Sequence, residues 1–354
     1  MTDTAALAPA APAAGAAARL EHLPVTVFAI VMGLAGTSLA WQRATRTGHV
    51  TPAVGTGLAW LAAGVLAVVA SAYLTKVVRH LPAVRAEWRH PVKLAFVPTA
   101  TISLVILAAA FLDTAPTFSA VLWWVGAPAQ LVLTLDVLRT WIGDPRFTLD
   151  HVHPAWFIPV VGNLVVPLAG VAHGPRQMSW FFFSVGLVYW LALLPIVLGR
   201  LVLGGALPGR LSPTLAVLVA PPALAALAWV RLGGTFGDAP SQILLDVTLF
   251  QLLLLATQAP ALVRLPFAIS GWAYTFPLAA AASAFFGAGA AGLGAGFTWL
   301  GATVLAVLSL VVAGLGARTL LAVRRGELCL PDPAPPIPVA RTSADGRTDT
   351  DLET

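Results

Sequence analysis

The sequence has few charged residues and almost no cysteine. Only 10% of its 354 residues are Asp, Glu, Lys or Arg, while 58% are hydrophobic, and the mean hydropathy is +0.86. A soluble domain carries about 25% charged residues. The composition therefore excludes an ordinary soluble protein and indicates an integral membrane protein. Cys329 is the single cysteine, which excludes a disulfide framework.

Sequence signatures of catalysis and cofactor binding are missing as well. The seven histidines show no HExxH spacing, and the chain has no glycine-rich phosphate loop and no evident nucleophile–base pair. We therefore expect no enzymatic activity, no metal and no cofactor. The net charge of +5 would favour a nucleic-acid partner for a soluble protein, but here we attribute it to basic cytoplasmic loops.

Apolar segments of about 20 residues can cross a bilayer, and ten are present. They are Pro24–Trp41, Val54–Val78, Leu94–Leu112, Ser119–Leu138, Pro154–Ala172, Trp180–Leu198, Pro213–Val230, Ile243–Ala259, Phe267–Phe286 and Phe297–Ala322. We predict an all-α membrane domain over residues 21–326. An Ala/Pro-rich N-terminal tail (1–20) and a Pro-rich C-terminal tail (327–354) are expected to be disordered.

Basic residues are distributed unequally between the two sides of the membrane. With ten spans, only four of the 20 lysines and arginines lie in the loops opposite the termini, and the other 16 lie on the side of the termini. The positive-inside rule then places both termini in the cytoplasm. We expect a multi-pass protein of a bacterial inner (plasma) membrane.

The odd-numbered spans differ from the even-numbered ones. They start near residues 24, 94, 154, 213 and 271, at spacings of 58 to 70, and none contains a charged residue. This regularity predicts five tandem helical hairpins around a quasi-fivefold central pore, with the odd helices innermost. Each odd span also has proline, which kinks helices. Proline is nevertheless common in membrane helices, and Pro128 and Pro195 lie in even ones.

Small, hydroxylic and kink-forming residues of the odd spans are the candidates for lining this pore. They are Gly33, Gly36, Thr37, Pro98, Thr101, Pro159, Asn163, Pro221, Thr275 and Pro277. Glycine also serves close helix packing, which is the alternative for Gly33 and Gly36. A neutral pore of this kind suits passive anion passage, whereas cation channels use rings of Asp or Glu.

The basic segment before the third span has two interpretations. Arg85, Arg89 and Lys93 could form a cytoplasmic vestibule that attracts anions, or they could anchor the chain at the membrane interface beside Trp88. Inside the membrane, Asp136 has Arg139 one turn away, so we expect a local ion pair. Asp246 is expected to reach the interface.

Five blocks of the sequence resemble the tellurite-resistance/dicarboxylate transporter family, which includes TehA-like proteins and the plant slow anion channels. The blocks are FAIVMGLAGTSLAW, VRAEWRHPVKLAF, HPAWFIPVVGNLVVPLAG, LSPTLAVLVAPPALAALA and GWAYTFP, and they are spread over residues 22–325. The resemblance implies ten helices around a central pore in each protomer of a homotrimer. It also implies that Phe276, in a motif like AYSFP, plugs the pore.

A physical reason supports a special role for Phe276. The residue before a proline is pushed away from the α region, and Pro277 leaves the carbonyl of Ala273 without its donor. The alternative is that Phe276 packs in the core like most of the 16 phenylalanines.

The sequence thus predicts an anion channel, or channel-like transporter, for small monovalent anions. Proton-coupled transport of C4-dicarboxylates, or of sulfite or tellurite oxyanions, remains the alternative. A determinant of tellurite resistance and a non-transporting membrane scaffold remain open too.

Overall fold

The computed structural model describes residues 20–46 and 51–329. The two tails expected to be disordered lie almost wholly outside the described residues. Within those ranges every regular element is helical, as the all-α prediction requires. In chain order the α-helices are α1 (Phe28–Thr45), α2 (Pro52–Arg79), α3 (Leu81–Arg89), α4 (Thr99–Ala110), α5 (Pro116–Gly143), α6 (Phe157–Val165), α7 (Pro167–His173), α8 (Arg176–Leu203), α9 (Ala220–Arg231), α10 (Ala239–Leu262), α11 (Thr275–Ala290) and α12 (Ala295–Arg325).

Short 3₁₀ helices complete the described structure. They are Val25–Val27, Lys93–Phe96, Leu149–His151, Pro154–Trp156, Ser212–Val219 and Ile269–Tyr274. Five of the six lead into α1, α4, α6, α9 and α11, so each of the five odd-numbered apolar segments begins with one. The same local structure therefore recurs five times at the spacing of the sequence pattern.

Nine helical segments among the described residues are long and apolar enough to cross a membrane. They correspond to nine of the ten segments expected from the sequence. The remaining one, Phe267–Phe286, is present as the 3₁₀ helix Ile269–Tyr274 followed by the 16-residue helix α11. It is not among the nine, so the structure supports about nine crossings.

Burial separates the segments into two groups. In the odd-numbered segments that belong to the nine, 67% to 89% of the apolar window is buried inside the protein, against 17% to 39% in the even-numbered ones. Helix α11 is buried almost throughout. We therefore call α1, α4, α6–α7, α9 and α11 the inner helices, and α2, α5, α8, α10 and α12 the outer helices.

The inner helices form a closed ring of contacts. Helix α1 packs against α4, α4 against α6 and α7, these two against α9, α9 against α11, and α11 again against α1. Each outer helix packs against two inner helices that are neighbours in this ring; α2, for example, contacts α1 and α4, and α12 contacts α11 and α1. The outer helices thus cover the grooves between inner ones and present their other faces outward.

The prolines of the inner helices lie at helix starts and do not kink helix middles. Pro98 is the N-cap of α4, and Pro159, Pro167, Pro221 and Pro277 are all within the first three residues of their α-helices. The first turn has no intrahelical partner for its N–H groups, so proline costs no hydrogen bond there. The expected kinks are therefore transitions from 3₁₀ to α-helix, except at Pro167, where α7 begins directly after α6.

Two aspartates, Asp136 and Asp246, lie in outer helices. Arg139 Nη2 lies 3.0 Å from Asp136 Oδ1, which confirms the local ion pair. Asp246 lies on the exposed face of α10.

Candidate functional site

Residues of all five inner helices surround a central cavity of about 50 Å³. It is lined by Ala29, Met32, Phe96, Thr99, Ile102, Phe157, Ile158, Val161, Gly162, Val217, Ala220, Leu224, Trp272, Ala273, Phe276 and Pro277. The ring of contacts therefore encloses a space, which we call the lumen.

A second, smaller cavity of about 20 Å³ lies further along the same helices. Its lining comprises Gly36, Leu39, Ile106, Leu168, Leu224, Leu227, Phe276, Ala279, Ala280 and Ser283. Apart from Leu224 and Phe276, which line both cavities, the residues of the second cavity come later in each inner helix than those of the first. The five inner helices consequently run in parallel past both cavities.

Phe276 and Leu224 are the two residues that line both cavities. The half-buried Phe276 ring projects from the second residue of α11. Leu224 lies on α9, which contacts α11 in the ring. The two apolar side chains therefore separate the lumen into two compartments, one toward each end of the inner helices.

Gly36 of α1 lies against the Phe276 ring and leaves space for it. A Cβ atom at position 36 would lie 3.0 Å from Phe276 Cδ2 and 3.1 Å from Ala279 Cβ. Both distances are shorter than ordinary contacts between carbon atoms, which are about 3.5–4.0 Å. The absence of a side chain at Gly36 thus lets α1 approach the ring.

The lumen is electrically neutral in its side chains. Neither cavity is lined by Asp, Glu, Lys, Arg or His from the part of the chain that the structure describes. Its hydroxyl groups come from Thr99, whose Oγ1 donates to the Phe96 carbonyl at 2.6 Å, and from Ser283. An ion in this lumen would meet small apolar surfaces and two hydroxyls.

Two other candidates from the sequence lie in the contact between α1 and α11. A Cβ atom on Gly33 would meet Thr275 Oγ1 and would lie 2.9 Å from Trp272 Cε3. Thr275 Oγ1 donates to the Trp272 carbonyl at 2.7 Å, and Thr37 Oγ1 donates to the Gly33 carbonyl at 2.7 Å. Gly33, Thr37 and Thr275 line neither cavity. Gly33 and Thr275 pack the two helices together, which is the alternative that the sequence left open for Gly33.

Thr101, Pro159 and Asn163 face an outer helix instead of the lumen. Thr101 Oγ1 donates to Gln130 Oε1 at 2.6 Å, and Gln130 Nε2 donates to the Pro159 carbonyl at 2.9 Å. Asn163 Nδ2 donates to Thr134 Oγ1 at 3.0 Å. The Thr101 hydroxyl, the Pro159 carbonyl and Asn163 Nδ2 are therefore bonded to α5, while the buried Asn163 Oδ1 has no partner among the described residues. None of the three residues lines a cavity.

Of the ten pore-lining candidates, the cavities bring together Gly36 and Pro277. Pro98 and Pro221 line neither. Sequence reasoning missed Leu224 and Met32. A leucine among many leucines carries no signal, and a helical wheel of uniformly apolar helices does not tell which face is central.

The basic residues at the start of the third span lie outside the lumen. Arg85 and Arg89 are exposed on α3, and Lys93 is half-buried in the following 3₁₀ helix. On the opposite side of α3, the buried Glu87 Oε2 lies 2.9 Å from Lys76 Nζ, and Glu87 Oε1 accepts from the Val25 N–H at 3.1 Å. This ion pair fastens α3 to the end of α2 and to the start of the first inner helix.

A buried histidine stands behind the first cavity. The His153 ring stacks on Phe96 with centroids 6.0 Å apart. Burial, with smaller effects from His151 and Arg200, lowers the pKa of His153 to about 4. Its ring nitrogens have no hydrogen-bond partner among the described residues, so the imidazole is neutral at pH 7.

Comparison with known proteins gives a consistent result. The SLAC1 family, described as voltage-dependent anion channel, matches residues 22–320. S-type anion channel SLAH3 of Arabidopsis thaliana is 30% identical over 275 residues, which are 75% of this chain and 43% of the relative. S-type anion channel SLAH2 of the same plant is 29% identical over 272 residues, 75% of this chain and 52% of the relative.

A bacterial protein is similar over more of its length. The tellurite resistance protein TehA homolog of Haemophilus influenzae is 28% identical over 271 residues, 74% of this chain and 80% of the relative. The chain spans about half the length of the plant relatives. The family match covers the ring of inner helices and the outer helices around it. The chain is a multi-pass membrane protein that belongs to the SLAC1 family of anion channels and transporters.

Proposed function

We propose that the protein is an anion channel, or a channel-like transporter, that passes small monovalent anions through the lumen and is closed by Phe276. The observation that carries the proposal is the position of Phe276, which lies between two cavities that together follow the inner helices. An apolar constriction is sufficient to stop ions, because a narrow apolar passage loses its water.

The neutral lining supports passage without tight binding. An ion must enter and also leave, so a weakly interacting wall favours conduction. The names of the relatives, S-type anion channels among them, support anions as the permeating species.

The proposal includes an arrangement of ten spans. We take Ile269–Ala290 as the tenth crossing, since α11 closes the ring between α9 and α1. The channel domain is then residues 21–326, built from five hairpins around a quasi-fivefold axis. Both termini are cytoplasmic in a bacterial inner membrane, and three protomers form a homotrimer. Arg85, Arg89 and Lys93 lie at the cytoplasmic end in this arrangement.

The experiment measures the conductance of the Phe276→Ala variant in planar bilayers. We expect chloride and nitrate currents at least about tenfold above wild type, because removing only about 1.4 kcal/mol of barrier already gives that factor. Phe276→Leu, which keeps an apolar plug, should stay near wild type. Phe250→Ala removes an exposed ring on α10 and is the matched control. A folded Phe276→Ala protein without increased current would refute the gate.

A second candidate function is proton-coupled transport of dicarboxylates or of sulfite or tellurite oxyanions. The tellurite resistance protein TehA homolog favours it. Against it stand the lining without an ionisable group and the low pKa of the nearby His153. Malate uptake into liposomes, measured with and without an imposed pH gradient, separates the two functions. Uptake that follows the gradient would establish the transporter.

A further inference from the structure

Three arginines meet at the end of the lumen opposite to α3. Arg43 lies in the last turn of α1, Arg46 is its C-cap, and Arg231 is the last residue of α9. Arg43 interacts electrostatically with Arg46, Arg231 and Asp113. Asp113 follows α4 and pairs with Arg46 at 3.6 Å. Three positive charges and one negative charge thus share this mouth of the lumen.

The arginines come from helices that are not neighbours in the ring. Going round it, α11 separates α1 from α9 on one side, and α4 with α6–α7 separates them on the other. The opening at this end of the lumen therefore lies between the ends of α1 and α9. Arg43 and Arg231 consequently flank the exit of the lumen.

The spacing along both helices gives the same result. Gly36 and Leu39 line the second cavity, and Arg43 is one helical turn beyond Leu39. On α9, Leu224 and Leu227 line the same cavity, and Arg231 is one turn beyond Leu227. The two series share the spacing i, i+3, i+7, which keeps residues on one helix face. Each lumen-facing stripe therefore ends in an arginine.

The guanidinium of Arg231 has a hydrogen-bond donor available at this mouth. The buried Nε of Arg231 has no hydrogen-bond partner among residues 20–46 and 51–329. Arg176 behaves differently, because its guanidinium donates to the Leu232 carbonyl at the end of α9. Arg46 has Asp113 as its counter-ion, and both side chains are more than half exposed. Arg43 and Arg231 are the half-buried pair.

We propose that Arg43 and Arg231 form an anion-binding site at this mouth, and that it prefers small planar oxyanions such as nitrate or bicarbonate. A guanidinium group offers parallel N–H donors that match a planar oxyanion, whereas a halide has no such geometry. This inference deepens the proposed function and rests on it, because the site would select and concentrate the permeating anion.

The first test measures binding and needs no conduction. Thermal unfolding of the wild-type protein in detergent is followed while nitrate replaces a bulky sulfonate at constant ionic strength. A ligand at about ten times its Kd should raise the Tm by about 3 °C. The Arg43→Gln/Arg231→Gln variant should lose this rise, while Arg85→Gln, at the opposite end, should keep it. Equal shifts in all three proteins would overturn the site.

The second test uses current in the Phe276→Ala background. Adding Arg43→Gln or Arg231→Gln should raise the half-saturating nitrate concentration several-fold when nitrate is added on the arginine side only. Arg43→Lys should keep the charge but lose the preference for nitrate over chloride. If the arginine variants conduct with the same half-saturating nitrate concentration as their Phe276→Ala parent, the binding site is refuted and the proposed function is not. A parent without any current would refute the proposed function, and the unfolding measurement would still decide the site.

Discussion

Gly36→Ala tests the position of Phe276 by adding one methyl group. Gly36 faces the ring across the contact between α1 and α11. The new Cβ would lie 3.0 Å from Phe276 Cδ2 and 3.1 Å from Ala279 Cβ. The ring, or the helix that carries it, must therefore shift by several tenths of an ångström.

Two opposing effects set the magnitude. Alanine is favoured over glycine inside a helix by about 1 kcal/mol, while overpacking a filled site costs about 1–3 kcal/mol. We expect a net destabilisation of up to about 2 kcal/mol in the wild-type background. In Phe276→Ala the contact with the ring is gone and only the one with Ala279 remains, so the same substitution should cost less. The coupling between the two positions should be about 1–2 kcal/mol.

Chemical or thermal unfolding of the four proteins in one detergent measures this coupling, and bilayer currents provide a second readout. Gly36→Ala alone should leave the channel closed, and the double variant should conduct nearly as well as Phe276→Ala. If Gly36→Ala has the same effect on stability in both backgrounds, the ring does not lie against Gly36 and the geometry of the gate is wrong.

Two further predictions concern stability. Since burial holds the pKa of His153 at about 4 in the folded protein, against 6.5 as its ordinary value, the unfolded chain takes up the proton first as the pH falls. Stability should drop by up to about 3 kcal/mol between pH 6.5 and pH 4; thermal unfolding across that range checks this, and His153→Phe should flatten the dependence. Glu87→Ala leaves Lys76 buried without its carboxylate, so it should cost about 3–5 kcal/mol in unfolding experiments. Asp136→Asn, which breaks the exposed pair with Arg139, should cost less than about 1 kcal/mol, and equal losses from both changes would contradict the ranking.

The sequence was sufficient for the class of fold and for the division into two sets of helices. Hydrophobic length located nine helices to within a few residues, because a bilayer demands about 20 apolar residues from each. Freedom from charge identified the inner set, since most of its residues are buried inside the protein, where an unpaired charge is costly. The tenth segment is harder to predict, because proline, glycine and aromatic residues interrupt its apolar run.

The lumen lining was less predictable, because a hydroxyl or amide group can face the pore or form a hydrogen bond to a neighbouring helix. Thr101 and Asn163 were expected in the pore, yet they bond to Gln130 and Thr134 of α5. A sequence shows that a polar group is present, but it does not show which neighbour bonds to it. Pro277 and Gly36 were placed more reliably, since their backbone and packing properties act locally.

Because the inner helices run in parallel, their dipoles add and produce an electric field along the neutral lumen. Each helix carries about half a positive charge at its N-terminus and half a negative charge at its C-terminus. Five such termini meet at each mouth, so the mouth near α3 attracts anions through backbone dipoles alone. The opposite mouth would repel them, but Arg43, Arg46 and Arg231 lie there and offset the negative helix ends. In the proposed passage an anion would therefore meet a favourable potential at both mouths, between cavity walls to which the described residues contribute no charge.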